Sequence, residues 1–259
     1  MHLLLIDAMN LIRRIYAAVE DNPAALEATE SRALSIIHQV ASNVQASHWL
    51  MVFEDHEPTW RHRLWPEYKA GRAPMPQILE QGLSTLRIGL ERQGIHCHLA
   101  SGWEADDVLA TVASKASLHG LATTIVSTDK GFCQLVGPRI RVLNHFDHLV
   151  WDAEQVLQRW GFEPQRLPDF WGLCGDQTNH LPGVAGIGKK GAGHILDACR
   201  TLDVAIGWPE LAPSRYQVAL KEHADAALRS RELARLRVDV PLNLNLHDFR
   251  RIEPQPPIS

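Results

Sequence analysis

The sequence predicts an α/β fold in which a parallel sheet is covered by helices on both faces and is followed by a smaller helical module. Short apolar runs alternate with helical patterns over roughly the first 150 residues, which is typical of strands that lie side by side in one parallel sheet. After Trp151 the strand-like runs stop, and helical segments and a turn-rich stretch remain. Acidic residues follow several of the predicted strands, at the edge where open α/β sheets carry their sites.

Five apolar runs predict the strands. They are Leu3–Ile6, Trp49–Phe53, Ile95–Leu99, Ala122–Val126 and Arg139–Leu143. Between them, apolar residues recur at helical spacing from Leu34 to Val44 and from Leu79 to Leu90. A further helix, Ala105–His119, stops before Gly120, a residue that favours the C-terminal cap of a helix. Strands and helices therefore alternate through this half of the chain.

The second part of the chain predicts a helical module. Helical segments are expected at Leu157–Trp160, Leu167–Leu173 and Lys189–Cys199. We place the catalytic α/β domain at residues 1–160 and the helical module at 161–250. The last residues, 251–259, are rich in proline, and we expect them to form a frayed tail.

Composition excludes several classes of protein. The chain has 259 residues and is 45% hydrophobic, so it can bury a sizeable core. The first apolar run ends at Asp7, too early for a signal peptide or a membrane span. The four cysteines are scattered without a CxxC pair, which suits a reducing compartment. The sequence therefore predicts a cytoplasmic protein without a membrane partner.

The net charge of −4 does not exclude a nucleic-acid partner. Binding depends on how charge is distributed over the surface rather than on its sum. Seven acids are assigned to a metal site below. Without them the rest of the chain is positive, so the overall sign decides nothing about DNA.

The densest chemical signal is Glu104-Ala105-Asp106-Asp107 at the start of an apolar helix. Such acids could simply complement the helix dipole. However, Asp7, Glu54 and Asp129 come at or just after the C-terminal ends of predicted strands, and Asp176 is also expected nearby. Hard divalent cations such as Mg²⁺ bind carboxylates and water. Clustered acids without basic partners therefore favour a metal site.

A second signal is the glycine-rich stretch from Gly175 to Lys190. No strand precedes it, so a dinucleotide-binding fold is excluded, and its end lacks the spacing and the Ser or Thr of a P-loop. Glycines allow close approach of the backbone to phosphates, and the amides that open the next helix bind anions. The stretch predicts a helix–hairpin–helix type turn that contacts DNA; a plain glycine-rich connection is the alternative.

Five segments resemble the 5′-nuclease (flap endonuclease) family, and in particular its stand-alone bacterial type. They occur in the family's order and span most of the chain. The segments are Leu5-Ile6-Asp7-Ala8-Met9-Asn10, Tyr68-Lys69-Ala70-Gly71-Arg72-Ala73-Pro74, Glu104–Asp107, Ile125–Lys130 and Gly175–Lys190. Members of this family cut 5′ flaps left at Okazaki fragments and use Mg²⁺. The resemblance implies a Rossmann-like, PIN-related nuclease domain with a helix–three-turn–helix module.

The resemblance also implies roles for individual residues. The first metal, Mg²⁺ or Mn²⁺, would be held directly or through water by Asp7, Glu54, Glu104, Asp106 and Asp107, and the second by Asp129 and Asp176. Lys69 and Arg72 lie in the family's arch, here around residues 56–76, and with Asp106 they are the predicted catalytic residues. Backbone carbonyls would bind K⁺ at Leu173, Cys174, Pro182, Val184 and Ile187. The DNA duplex would contact Gly186, Ile187, Gly188, Lys189, Lys190 and Gly191.

Three positions depart from the family's pattern. Glu54 stands where Asp is usual, Gly131 replaces the second aspartate after the fourth strand, and Asn179 replaces an aspartate in the glycine-rich loop. The first metal site is therefore complete in charge, while the second keeps two carboxylates of four. Asn179 still offers a carbonyl oxygen but no charge.

We therefore expect a metal-dependent 5′ nuclease that hydrolyses 5′-flap DNA, acts as a monomer and shows no protein partner in its sequence. Two alternatives stay open. Gly131 and Asn179 favour a flap-binding protein whose active site is degenerate and slow. A PIN-like ribonuclease would share the acidic sheet edge, but PIN domains generally lack the glycine-rich DNA-binding module.

Overall fold

The centre of the molecule is a six-stranded sheet. The computed structural model describes residues 1–55 and 57–251. The strands are β1 (His2–Asp7), β2 (His48–Glu54), β3 (Cys97–Ala100), β4 (Ala122–Val126), β5 (Ile140–Asn144) and β6 (Leu149–Trp151). Their order is β3-β2-β1-β4-β5-β6; β1 to β5 are parallel, and β6 is antiparallel to β5. The predicted α/β class is confirmed.

Strand order places a crevice at one edge of this sheet. The chain runs outward from β1 through β2 to β3, then returns to add β4 on the other side of β1. In open α/β sheets, sites form outside the C-terminal ends of the strands where the order reverses. Here that point lies between the ends of β1 and β4.

All five predicted strands are present within two residues of their expected bounds. The sixth, Leu149–Trp151, was not predicted. It is three residues long and pairs only with β5, so it is too short to show the alternation of apolar and polar residues on which strand prediction depends.

Alternate side chains of β1 belong to two cores. Leu4 and Ile6 pack with α1 (Ala8–Ala17), α2 (Ala25–Asn43) and α4 (Gln77–Arg92). Leu3 and Leu5 pack on the opposite face with α5 (Ala105–Leu118). Because side chains of a strand alternate between its faces, a continuous apolar run implies a sheet buried on both sides. This confirms the two-sided cover expected from the sequence.

The remaining helices are α3 (Trp60–Leu64), α6 (Ala153–Trp160), α7 (Leu167–Cys174), α8 (Lys189–Cys199), α9 (Leu202–Gly207), α10 (Ser214–Glu222) and α11 (Ala224–Ala234). Of these, α3 lies in the arch, α6 ends the α/β part of the chain, and the others lie in the helical module. Helix α7 packs against α8 and α11. Its buried Leu167, Phe170 and Leu173 join the core on the α5 side of the sheet, so the module is fixed to the sheet. Within the described residues, no helix is both long and apolar enough to cross a membrane.

Candidate active site

One cleft of about 1010 Å³ lies at the C-terminal edge of the parallel strands. Six of the seven acids predicted to bind metal line it: Asp7, Glu54, Glu104, Asp106, Asp129 and Asp176. They are delivered by separate elements, since Asp7 ends β1, Glu54 ends β2 and Glu104 caps the N-terminus of α5. Parallel strands thus bring acids that are distant in sequence to one rim.

A hydrogen-bond network fixes the acids at the ends of β1 and β4. Asp7 Oδ2 accepts a hydrogen bond from Ser127 Oγ at 2.8 Å, and Asp7 Oδ1 accepts one from the Asn10 amide at 3.1 Å. Ser127 Oγ in turn accepts from the Asp129 amide at 3.1 Å. The Asn10 side chain bonds both the amide and the hydroxyl of Thr128. Ser127 and Thr128 lie in the segment Ile125–Lys130, but their contacts with Asp7 and Asn10 follow only from the pairing of β1 with β4.

Asp106 is a carboxylate without a partner. Among the described residues, no side chain or backbone group donates a hydrogen bond to it or forms an ion pair with it. Burial, followed by the charges of Asp7 and Asp129, raises its pKa well above the usual value. Burial also raises the pKa of Asp7 to about 6, and Asp129 and Glu54 add to this effect. Carboxylates that repel one another in this way are stabilised by a cation.

The donor chemistry of Asp7, Asp106 and Asp129 fits a hard divalent cation, which prefers oxygen ligands and keeps several waters. In the described part of the chain, no three acids, histidines or cysteines already surround one point closely enough to enclose an ion. Water molecules, or small side-chain movements, would complete the coordination sphere of an ion bound there. The unpartnered Asp106 is the observation that indicates a cation here.

Glu104 is neutralised by the protein itself. Its buried carboxylate accepts hydrogen bonds from Arg61 Nη1 at 3.0 Å and Tyr68 Oη at 3.1 Å, and Lys69 Nζ lies 3.1 Å from its other oxygen. Burial alone would raise the pKa of Glu104, but the charges of Lys69 and Arg61 outweigh it and lower the pKa. Lys69 Nζ is also 3.9 Å from Glu54. The predicted arch lysine therefore lies on the acidic floor of the cleft.

Asp107 lies outside the cleft, although it was predicted to bind the first metal. It is fully buried and accepts hydrogen bonds from Arg61 Nη1 at 2.7 Å, Arg61 Nη2 at 2.8 Å, Trp60 Nε1 at 2.9 Å and the Arg237 amide at 2.9 Å. Its lone pairs are thus taken up by protein donors. We therefore do not propose Asp107 as a metal ligand.

Arg61 connects three parts of the molecule, a role that the sequence did not indicate. It is 1% exposed and donates to Glu104 and Asp107 at the start of α5. It also donates to the carbonyls of Leu233, in the last turn of α11, and of Arg235, which follows that helix. Burial disfavours its charged form, but Glu104 and Asp107 raise its pKa. Arg61 therefore fixes the base of the arch to α5 and to the helical module.

The arch aromatics pack within the protein. Aromatic side chains in an arch can either stack on single-stranded bases or pack within the protein, and Trp60, Trp65 and Tyr68 lie in this one. Trp60 lies between the guanidinium groups of Arg61 and Arg237, with ring distances of 4.4 and 4.3 Å. Tyr68 is 6% exposed, and Trp65 packs in the same small apolar cluster. These contacts favour the packing interpretation.

The glycine-rich loop closes on itself at two glycines. Gly175 and Gly183 have φ of +68° and +63°, and a Cβ on Gly183 would overlap the backbone of Gly175. The Asp176 and Leu181 amides exchange hydrogen bonds with each other's carbonyls. The carbonyls of Leu173 and Val184 each accept one amide, which leaves each a second lone pair. Lys189 and Lys190 are exposed in the first turn of α8.

Cations surround the acidic floor. Seven that line the same cleft form no ion pair with a residue in the described ranges: Arg13, Arg14, Arg72, Lys130, Arg159, Lys189 and Lys190. Arg14 lies over the ring of Phe146 at 5.7 Å, and Arg13 donates to the Ala73 carbonyl. Unpaired cations around a concave surface attract polyanions. The cleft thus combines an acidic floor with a basic rim.

The floor predicts a pH dependence of metal-free stability. The folded-state pKa of Asp7, about 6, exceeds its ordinary value of 3.8, so between these values the folded state holds more protons than the unfolded state. The free energy of unfolding should therefore fall as pH rises from about 4 through 6 in EDTA. Mg²⁺ should reduce this fall. Urea titrations of the wild type and of Asp7→Asn test it; the variant should show a flatter profile, and identical profiles would contradict the assignment.

Fold and cleft together define an α/β protein with an attached helical module and a carboxylate-lined site at the point where the strand order reverses. The chain belongs to the 5′-3′ exonuclease family, whose N-terminal resolvase-like domain matches residues 2–161 and whose C-terminal SAM fold matches residues 162–257. It is similar to proteins named flap endonuclease Xni. The relative from Pectobacterium carotovorum is 41% identical over 96% of this chain and 94% of its own, and that from Vibrio cholerae is 38% identical over 96% of each.

Solved structures show the same fold. The bacteriophage T5 5′-exonuclease with bound zinc superimposes with a TM-score of 0.78 at 20% identity, over 90% of this chain and 89% of its own. A T5 D15 flap endonuclease complex with DNA and metal ions gives a TM-score of 0.77, also at 20% identity and over the same shares of the two chains. The expected nuclease fold with its helical module is confirmed.

Proposed function

We propose that this chain is a metal-dependent flap endonuclease that hydrolyses phosphodiester bonds of 5′-flap DNA at junctions of the Okazaki-fragment type. The observation that carries the proposal is the unpartnered Asp106 carboxylate, which faces Asp7 and Asp129 at the floor of a cleft with a basic rim. An acidic floor suits a divalent cation, and a basic rim suits a DNA backbone. Both are needed for metal-assisted phosphodiester hydrolysis.

Asp7, Asp106 and Asp129 would hold Mg²⁺ or Mn²⁺ most directly, with Glu54 and Glu104 beside them. When bound, such an ion activates a water nucleophile and stabilises charge on the leaving oxygen. Asp176 would serve a second ion. However, its Oδ2 accepts a hydrogen bond from the Asn179 side chain at 2.6 Å, and position 131 supplies no carboxylate, so this second site is the weaker one.

Lys69 and Arg72 would bind the scissile phosphate. Lys69 Nζ already lies within the cleft at 3.1 Å from Glu104, and Arg72 lines the same cleft. A phosphate that enters would draw the Lys69 ammonium toward itself and leave Glu104 freer to accept a metal or its water. Fixed cations also stabilise the charge that develops in the transition state. This gives the arch a catalytic role as well as a binding one.

The loop and the start of α8 would bind the duplex. Gly186 and Gly188 have open space around them where a Cβ would be, so a DNA backbone can approach closely. Lys189 and Lys190 follow directly in the first turn of α8, and the N-terminus of a helix offers backbone amides to an anion. We assign the duplex contact to 186–191, within a helical module of residues 161–250. We further propose a cytoplasmic monomer.

K⁺ bound by the loop carbonyls would strengthen DNA binding. We therefore expect higher affinity for flap DNA in KCl than in NaCl at equal ionic strength, because only the coordinated ion changes while screening stays constant. Fluorescence anisotropy with labelled flap DNA in EDTA measures this. Superimposable binding curves in the two salts would remove the K⁺ site at Leu173, Cys174, Pro182, Val184 and Ile187.

A cleavage assay tests the proposed function. A 5′-labelled flap duplex should be cut in Mg²⁺ or Mn²⁺ and left intact in EDTA, and single-stranded RNA of the same sequence should be a poor substrate. The alternative is a flap-binding protein without turnover. It is favoured by Asn179 and by the ion pair that Lys69 forms with Glu104. Tight flap binding with no cleavage in Mg²⁺ would select that alternative, and preferential cleavage of RNA would select a PIN-like ribonuclease.

A further inference from the structure

Two segments far apart in sequence meet at the mouth of the cleft. Arg72 Nη2 donates to Asn179 Oδ1 at 2.5 Å, and Arg72 Nε donates to the Thr178 carbonyl at 3.4 Å. The Lys69 amide also donates to the Asn179 carbonyl at 3.2 Å. Residues 69–72 of the arch are therefore tied to residues 178–179 of the glycine-rich loop by three hydrogen bonds.

The side-chain amide of Asn179 is required by its two partners. Arg72 can only donate, so the atom that faces it must be an oxygen. On the other side, Asp176 Oδ2 accepts from Asn179 Nδ2 at 2.6 Å, and an ionised carboxylate can only accept. An aspartate could satisfy Arg72 but would repel Asp176. An amide bridges the guanidinium and the carboxylate because it offers an acceptor to one and a donor to the other.

Backbone conformations on both sides of the contact are held by it. Lys69 has φ of +57° and His180 has φ of +53°, which side-chain-bearing residues rarely adopt and which persist where surrounding contacts enforce them. Asp176 is itself fixed, since its Oδ1 accepts the Thr178 amide at 3.0 Å. The loop thus presents a rigid platform to which Asn179 attaches the arch.

We propose that Asn179 is a positioning residue that closes the arch on the loop before DNA binds and fixes the Arg72 guanidinium at the mouth of the cleft. The Asn179 side chain that accepts from Arg72 is neutral. The positive charge of Arg72 is therefore not neutralised by an ion pair with Asp176 and can attract a phosphate. That Arg72 meets a phosphate rests on the function proposed above. The closure of the arch on the loop does not rest on that function.

Hydrogen–deuterium exchange without DNA and in EDTA tests the closure. In Asn179→Ala, amides of the arch segment 66–74 should exchange about tenfold faster, the scale expected for loss of a hydrogen bond to a charged group. Thr178→Ala is the matched control, because it removes an exposed neighbouring side chain and keeps the backbone contacts. Asn179→Asp should retain most of the protection, since it keeps an acceptor for Arg72.

Arg72→Ala tests the same link from the other side. Arg72 is exposed, so this variant should fold even if Asn179→Ala does not. It should speed exchange of the arch as much as Asn179→Ala, and the double variant should add little, because both changes break one bridge. Equal exchange in Asn179→Ala, Thr178→Ala and the wild type would overturn the proposal. Additive effects of the two substitutions would do so as well.

Binding in EDTA tests the position of Arg72. Asn179→Ala should lower affinity for a 5′-flap duplex several-fold more than affinity for a blunt duplex of the same sequence, because under the proposed function Arg72 contacts a phosphate of the flap. An equal loss on both would assign Asn179 to the fold of the loop and contradict a positioning role. Absence of nuclease activity would leave the exchange result unchanged, so failure of the proposed function and failure of this inference are distinguishable.

Discussion

Replacement of Asp106 by alanine is expected to lower the rate of flap cleavage by at least about two orders of magnitude and to stabilise the metal-free protein. Cleavage falls because a ligand of the cation that activates water is lost. Stability rises because an unpartnered carboxylate that faces Asp7 and Asp129 is removed. Initial rates on a 5′-flap duplex in Mg²⁺, and thermal unfolding in EDTA, measure the two effects.

Asp107→Ala is the matched control for this variant. It removes the neighbouring acid, but one that accepts four hydrogen bonds from protein donors, two of them from the buried Arg61. It should therefore lower the melting temperature in EDTA, opposite in sign to Asp106→Ala. A destabilised Asp106→Ala protein, or one with full activity, would show that Asp106 is a structural residue and not a metal ligand.

Replacement of Arg61 by alanine is expected to lower the free energy of unfolding by about 3–5 kcal/mol, the usual loss when one partner of a buried ion pair is removed. Asp107 would stay fully buried without its bidentate partner, and Glu104 would lose one of its two cations. The carbonyls of Leu233 and Arg235 would also lose their donor. Urea unfolding followed by circular dichroism measures this change.

The control for Arg61 lies two residues further along the same helix. Arg63 is exposed, and Arg63→Ala should change stability by no more than about 0.5 kcal/mol. The Arg61→Ala, Asp107→Ala double variant should lose less than the sum of the two single variants, because both single changes break the same Arg61–Asp107 pair. If Arg61→Ala were as stable as Arg63→Ala, the anchor between arch, α5 and helical module would be refuted.

The sheet and the acids on its strands could be predicted because both follow from local patterns. Leu3–Ile6 is apolar at every position, so it must be buried on both faces, and a strand buried in this way belongs to a parallel sheet. In a parallel sheet the C-terminal ends of all strands lie at one edge, so Asp7 and Asp129 emerge there whatever the order of the strands. No knowledge of distant contacts is needed for this step.

Asp106 and Asp107 show what local sequence patterns cannot predict. Successive residues of a helix point about 100° apart, so two adjacent acids face different surroundings, and the sequence does not say which one meets the cleft. The answer depends on Arg61, which is 46 residues away. The link between Arg72 and Asn179 spans 107 residues. Both depend on how the arch folds back over the sheet, which neither propensity nor periodicity encodes.

Diffraction from a crystal grown with Mn²⁺ and flap DNA tests most directly whether the acidic floor is the catalytic metal site. We expect an anomalous peak between the carboxylates of Asp7, Asp106 and Asp129, with the oxygens of Asp107 still bound to Arg61. A peak coordinated by Asp107, with the Arg61 ion pair broken, would contradict it. A cleft without any peak in crystals of protein that cuts the flap in Mn²⁺ would contradict it equally.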